Sequence, residues 1–581
     1  MARTSRDECR WRFRYGGVAT AALLAVAGFS PAAHAQDTDT DRLSRLVKLL
    51  VQNKILTQQQ AASLVEQADR TPAAPRHVPA RAPAPAAPAP AVPAAAAPPA
   101  AAPGTVRVTY VPESVRQDIA AQVEQQVIQR MKDEGTSPAV AAADWTQRIR
   151  IGGDVRLRGE RDLLSPDNSP DFPNFNAING TSNGWDSSGN SGLPPLLNST
   201  ESRTRFRLRA RLDVAATIAD WIDADIRVAT GNDNSPVSTN QTLGTPGDFS
   251  KYQIWLDRAY VRMHPTGWLA VNAGRAPNPF WTTDLLFGES VNFDGLAVQG
   301  TYQAASQLGV FLTAGAFPVF NTDFNFGSTN LTKTASRDAY LFAGQAGADW
   351  QVRPDYDLKL ALGYFDFERV AGSLSSPCYN PVAYGSCSTD DTKPGFVSFG
   401  NTMFPLRNLL VNSSNSTAAQ PQYYGLASGF DVLNVHGELS FTKYNPIDVI
   451  FSGDFVKNLA FDARKILALN PSNNVSSDSK KFLGGDTGYA FGIQVGHRKL
   501  DERWDWNVAV TYKYLQTDAV LDSLTDPDFH LGGTNAKGYI LGANLALARD
   551  AWLSATWRSA NQVSGPTYSA DSAMIDLNVR F

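Results

Sequence analysis

From Arg203 to Val214 the sequence reads R-T-R-F-R-L-R-A-R-L-D-V, with Arg203, Arg205, Arg207, Arg209, Arg211 and Asp213 alternating with Phe206, Leu208, Ala210, Leu212 and Val214. A period of two is that of a β-strand whose two faces meet different surroundings. The same separation puts Arg148, Arg150, Asp154, Arg156, Arg158 and Glu160 opposite Ile149, Ile151, Val155 and Leu157. It also puts Asp223, Asp225 and Arg227 opposite Ile222, Ala224, Ile226 and Val228. In the last eleven residues Ala573, Ile575, Leu577, Val579 and Phe581 share one face, with Met574 the one apolar intruder on the other. A soluble sandwich would turn its charged face to bulk water, whereas alternation along the whole chain calls for a lipid-facing wall. An uncovered apolar edge strand aggregates, and closing the sheet removes its edges while satisfying every backbone group inside a bilayer. The expected fold is all-β, a transmembrane antiparallel β-barrel.

With the final strand at 571–581, twelve further strands are expected near 252–263, 267–275, 292–303, 308–317, 339–350, 357–367, 430–443, 447–457, 488–498, 503–516, 536–548 and 552–560, about sixteen in all. An even number suits an antiparallel barrel. Tight turns at Ala219-Asp220, Pro265-Thr266, Ala304-Ala305, Arg353-Pro354-Asp355, Asn445-Pro446, Leu500-Asp501 and Arg549-Asp550 alternate with long polar segments. Trp145, Trp221, Trp268, Trp350, Trp504 and Trp552 lie at the short-turn ends, as an interfacial aromatic girdle would.

Residues 1–35 have the form of a cleaved export signal: five arginines up to Arg14, an apolar run from Gly16 to Phe29, and Ala33-His34-Ala35 before Gln36. A helical hairpin is expected over 36–70, then an Ala/Pro-rich linker over 71–105 that serves as spacer or tether. An amphipathic periplasmic helix over 106–140 carries Val115, Ile119, Val123, Val127 and Met131 as a stripe. The barrel would occupy 145–581. The short periplasmic α-helical region would thus precede it.

Mean hydropathy of −0.25 excludes a helical membrane protein. A formal net charge of −4 argues against nucleic acid as a partner. Cys9 would leave with the signal, so Cys378 and Cys387 remain to pair as a loop staple in an oxidising compartment. Two thiols without a nearby His or further Cys do not make a metal site. Neither metal nor other cofactor is expected.

Several stretches resemble the proteobacterial outer-membrane proteins of the putative porin family. They are L-V-K-L-L-V-Q-N-K-I-L-T-Q-Q-Q-A, Y-V-P-E-S-V-R-Q-D-I-A, D-W-T-Q-R-I-R-I-G-G-D-V-R-L-R-G-E, R-T-R-F-R-L-R-A-R-L, L-D-R-A-Y-V-R with G-R-A-P-N-P-F-W, and the terminal Phe581. The resemblance implies a passive diffusion channel in the outer membrane of a Gram-negative bacterium. It brings no substrate that transfers to named residues. A last strand ending in Phe581 also resembles the signal read by barrel-insertion machinery. By analogy with porins a homotrimer is expected, and the N-terminal helices are expected to meet peptidoglycan, a periplasmic protein or only each other.

The chemistry legible in the residues is electrostatic. Arg148, Arg150, Arg156, Arg158, Arg203, Arg205, Arg207, Arg209, Arg211, Arg227, Arg258 and Arg262 would form one basic wall of the lumen, which concentrates anions. Alternatively they pair with Asp154, Asp213, Asp223 and Asp225, or hold a folded-in loop. The segment Gly274–Phe293 is the candidate constriction loop, with Arg275, Asp284, Glu289 and Asp294 as its charges and Phe280 and Trp281 as anchors. An exposed acidic loop is the alternative. For a barrel enzyme, His264, His436, His497 and His530 find no nucleophile placed by a motif. A tether or adhesin-like barrel using the periplasmic helices is the other class.

Overall fold

The computed structural model describes residues 148–581 apart from 183, 189–191, 233–234, 323–335, 379–386, 388 and 411–418. The signal, hairpin, linker and amphipathic-helix segments, with Trp145, lie outside the described residues. Sixteen long strands form one sheet: β1 (Ile149–Leu164), β2 (Arg203–Ala219), β3 (Ile222–Ala229), β4 (Trp255–Thr266), β5 (Leu269–Pro277), β6 (Asn292–Ala305), β7 (Leu308–Phe320) and β8 (Ala339–Arg353) make the first half. The second half is β9 (Tyr356–Glu368), β10 (Phe430–Tyr444), β11 (Ile447–Asn458), β12 (Thr487–Gly496), β13 (Trp506–Leu515), β14 (Ala536–Ala548), β15 (Ala551–Gln562) and β16 (Ser569–Arg580). Each pairs antiparallel with its sequence neighbours, the two-residue piece Gln241–Thr242 adds to β2, and β16 returns to β1.

At the closing seam Val155 stands opposite Val579, Leu157 opposite Leu577, and Arg158 opposite Asp576. The amide of Phe581 donates to the carbonyl of Gly153 at 3.0 Å, and the amide of Gly153 donates back at 2.9 Å. The Phe581 ring covers Gly153 so closely that a Cβ there would meet the ring at 2.9 Å and the Arg211 carbonyl at 2.3 Å. Glycine is therefore required at the seam.

The barrel is inverted relative to a water-soluble one. Ile151, Phe206, Ile226, Leu312, Phe491 and Ile575 are among the exposed side chains, while Arg158, Glu160, Asp162, Arg209, Arg227 and Asn434 are buried. Trp221, Trp268, Trp350 and Trp504 stand exposed towards the short-turn end. Only a hydrocarbon surround makes that apolar outer band favourable.

The turns differ in detail from expectation. Three of them fall at Asp220-Trp221, Gly267-Trp268 and Ser306-Gln307, one or two residues later, because a register shift beside each turn lets the strands run on. Such bulges sharpen local twist and leave no trace in a two-residue alternation. The tight turn expected at Leu500-Asp501 is instead a nine-residue connection, 497–505, tied by Glu502 N–H to the Asp505 carboxylate at 2.8 Å.

At the other end the long loops turn inward. One apolar cluster joins Phe175 and Ile178 of helix α1 (Phe175–Asn179) to Val237, Leu285, Leu286, Met403, Leu426, Ala519 and Val520. It rests on lumen-facing Phe293, Phe317, Leu341, Phe365, Val432 and Val456 of the wall. Cys378 and Cys387 are bonded, and the amide of Cys378 donates to the carbonyl of Asn408 at 2.9 Å, fixing that loop to its own return.

Candidate functional site: the lumenal wall and its inward loops

Register decides what the arginines meet. Arg156 stands opposite Arg209 and Arg158 opposite Arg207, so like charges sit side by side on the lumen face of β1 and β2. Like charges directly opposed are unfavourable, and acids at neighbouring positions relieve them. Asp154 accepts from Arg209 at 2.9 Å and from Arg211 at 2.6 Å. Glu160 takes Arg205 and Arg207, and Asp162 takes Arg205 at 2.8 Å. Arg227 donates to Asp257 at 2.6 Å and lies 3.9 Å from Asp213.

The lattice is incomplete. Among the described residues Arg156 hydrogen-bonds only to the neutral Asn240, at 2.5 Å, and its Nε is buried without a partner. Arg258 donates to Asn292 at 2.8 Å and, among the described residues, forms no ion pair, although Asp257 and Asp213 lie within its electrostatic reach. Among the described residues Arg150, Arg203 and Arg262 also form no ion pair, while Arg148 is engaged. Asp223 is held by Thr217 and His264, both at 2.9 Å, rather than by an arginine, and among the described residues Asp225 forms no ion pair.

The segment between β5 and β6 crosses the lumen. Phe280 packs on Phe293, Phe317 and Phe365, with ring centroids 5.1 to 6.0 Å apart. Gln345 holds the backbone of Trp281 with both ends of its amide, at 2.8 and 2.9 Å. Gln299 donates to the carbonyl of Pro279 at 2.9 Å, and the Thr283 hydroxyl donates to Asp454. Beyond the crossing, Lys513 of β13 lies 3.4 Å from Asp284 and 3.6 Å from Asp526.

Of the four charges expected on this loop, Asp284 thus meets a lysine on the far wall. Glu289 lies within electrostatic reach of Arg209. Arg275 and Asp294 pair with each other at 2.7 Å across β5 and β6, on the parity of the exposed Leu296. Truncating the anchor, Phe280→Ala, should remove about 3–5 kcal/mol of packing. The expected readout is a larger, noisier single-channel conductance; an unchanged conductance would show that the loop does not limit the pore.

The loop between β13 and β14 locks this crossing in place. The amide of Gly288 donates to Leu524 at 2.7 Å, and the Thr525 hydroxyl donates to the Asp284 carbonyl at 2.8 Å. Asp518 and Asp522 are buried in that loop, and Asp522 Oδ2 has no partner. Burial, outweighing the hydrogen bonds each accepts, raises Asp518 to about 6 and Asp522 to about 7. A carboxyl raised on folding binds its proton more tightly when folded. Its stabilisation is full below the ordinary value near ~3.9 and is lost as pH rises through the raised value. Amide exchange over 516–535, corrected for intrinsic rates, should therefore show less protection at pH 8 than at pH 5, and Asp522→Asn should flatten the difference. Equal protection at both pH values in the unaltered protein would refute it.

The sequence did not reveal four partners of this lattice. Asp257 sits at a bulge, Asp528 belongs to a distant loop, Asp576 pairs only through barrel closure, and Lys513 was the lone cation on the lumen face of its strand. For Lys513 alone, parity within the strand was a usable signal.

A closed sixteen-stranded barrel with an apolar exterior and a charged lumen into which loops fold defines an outer-membrane β-barrel channel. Residues 40–581 match the family described as "Putative porin". The chain belongs to that family. No curated protein matches it. Among solved structures it is similar to the outer-membrane channel DcaP of Acinetobacter baumannii, with 10% identity, a TM-score of 0.36, and 74% of this chain and 97% of that one covered. It is similar also to Pseudomonas putida OprB, with 10% identity, a TM-score of 0.40 and coverage of 76% and 96%. A third is a loop-deletion mutant of OmpT of Vibrio cholerae, with 12% identity, a TM-score of 0.34 and coverage of 74% and 99%.

Proposed function

We propose that this channel passes small hydrophilic solutes by passive diffusion and prefers anions. The observation that carries the preference is the incomplete lattice: arginines outnumber carboxylates on β1 to β4, and among the described residues Arg156 and Arg258 donate to amides and form no ion pair. Guanidinium keeps its charge at any physiological pH, so this excess is permanent. In a confined aqueous path it raises the local concentration of anions. Cleavage of the signal after Ala35, insertion through the barrel machinery and assembly as a homotrimer belong to the same reading. Purified mature protein in planar bilayers under a KCl gradient should give stable open steps with a chloride-preferring reversal potential. A zero or potassium-preferring reversal would overturn the preference, and a folded barrel without steps would overturn the open channel.

A further inference from the structure

Beneath the crossing loop a cavity of about 500 Å³ opens along β6 to β9 and the turn before β5, within the range of small-molecule sites, about 300–1,000 Å³. Trp281, Phe311, Lys359, Asp349, Gln299 and Gln345 are among the residues that line it. Lys359 lies over both rings, 4.2 Å from the Trp281 centroid and 5.4 Å from that of Phe311. It forms no ion pair among the described residues, although Asp349 and Glu438 are its register neighbours on the adjoining strands. A cation above aromatic faces retains its N–H donors for a ligand. The amides of Gln299, Gln303 and Gln345 each already hold a backbone carbonyl, of Pro279, Ala305 and Trp281, so they offer a sugar less than free amides would.

We propose that this cavity is a binding site for monocarboxylates with a flat apolar body, a reading that rests on the lumen being a solute path. The carboxylate would take the Lys359 ammonium through charge-assisted hydrogen bonds. Trp281 and Phe311 would receive the apolar body. Asp349, in the same cavity and without an ion-pair partner among the described residues, would repel a second carboxylate. The site is thereby selective for monoanions over dianions, a finer choice than the arginine wall makes.

Isothermal titration calorimetry of the full mature chain in detergent micelles tests this without requiring conduction. Benzoate should bind at pH 7.5, acetate should give no saturable heat, and phthalate should bind about tenfold more weakly than benzoate or not at all. Lys359→Met should abolish benzoate binding, Lys359→Arg should restore it, and Asp349→Asn should admit phthalate. The arginine variant separates loss of the site from loss of the fold. Benzoate binding that survives Lys359→Met, or equal binding of phthalate and benzoate, overturns the proposal. Conducting channels that do not bind benzoate overturn the site and spare the channel reading. Benzoate binding in a barrel that does not conduct supports the site while counting against the solute path.

Discussion

Replacing Arg158 by methionine is expected to cost about 3–5 kcal/mol of barrel stability, the penalty for stranding buried charges by removing their partner. Arg158 is 6% exposed and makes a fork to Asp576, with Nε to Oδ1 at 2.8 Å and Nη2 to Oδ2 at 2.9 Å. Its remaining nitrogen, Nη1, donates to Asp528 at 2.7 Å. One side chain therefore ties β1 to β16 across the closing seam and draws in the loop between β13 and β14. Burial alone would raise the Asp528 carboxyl, but Arg158 and Arg558 hold it well below the usual carboxylate range. Methionine keeps the stem and leaves both carboxylates without that neutralising charge. The readout is the temperature at which the folded, fast-migrating form disappears in detergent gels. Adding Asp528→Asn and Asp576→Asn should recover part of the loss, because a site with all three charges removed strands none. A single substitution that leaves this temperature unchanged would show that the pair does not hold the seam.

The second large effect is on selectivity. Converting Arg156, Arg258 and Arg262 to glutamine should cut the chloride-over-potassium preference by up to about tenfold, the lower end of what a focused charge patch contributes. The shift should be larger at 0.01 M salt, where screening extends over roughly 30 Å, than at 1 M, where it is roughly 3 Å. These positions are chosen because, among the described residues, no ion pair depends on them. By contrast, Arg205, Arg207 and Arg209, the most conspicuous arginines in the sequence, hold Glu160, Asp162 and Asp154. Changing those three to glutamate would set new carboxylates against buried ones and confound selectivity with folding. If the glutamine triple variant keeps the parent reversal potential at low salt, the free arginines do not set selectivity.

Much of the architecture was legible from alternation, because one lipid-facing and one water-facing surface impose a period of two on each strand. Strand number and the closing role of the final strand both follow from that local rule. Turn positions did not, since the bulges beside Ala219, Thr266 and Ala305 insert residues without changing the polarity pattern. Inside the lumen, the crossing of the Phe280 loop could be named as a candidate from its aromatic and proline content. Its seat could not, because Phe293, Phe317 and Phe365 read as ordinary apolar strand residues until parity turns them inward.

The sequence by itself determined the barrel and its inside-out polarity, because these depend on what each residue is and on its place in a two-residue repeat. Only the tertiary structure decided which arginines are neutralised. Asp257, Asp528 and Asp576 reach their partners through a bulge, a folded-in loop and ring closure. A charge's effect depends on distance to its counter-charge, and those distances join residues as far apart in sequence as Arg158 and Asp576.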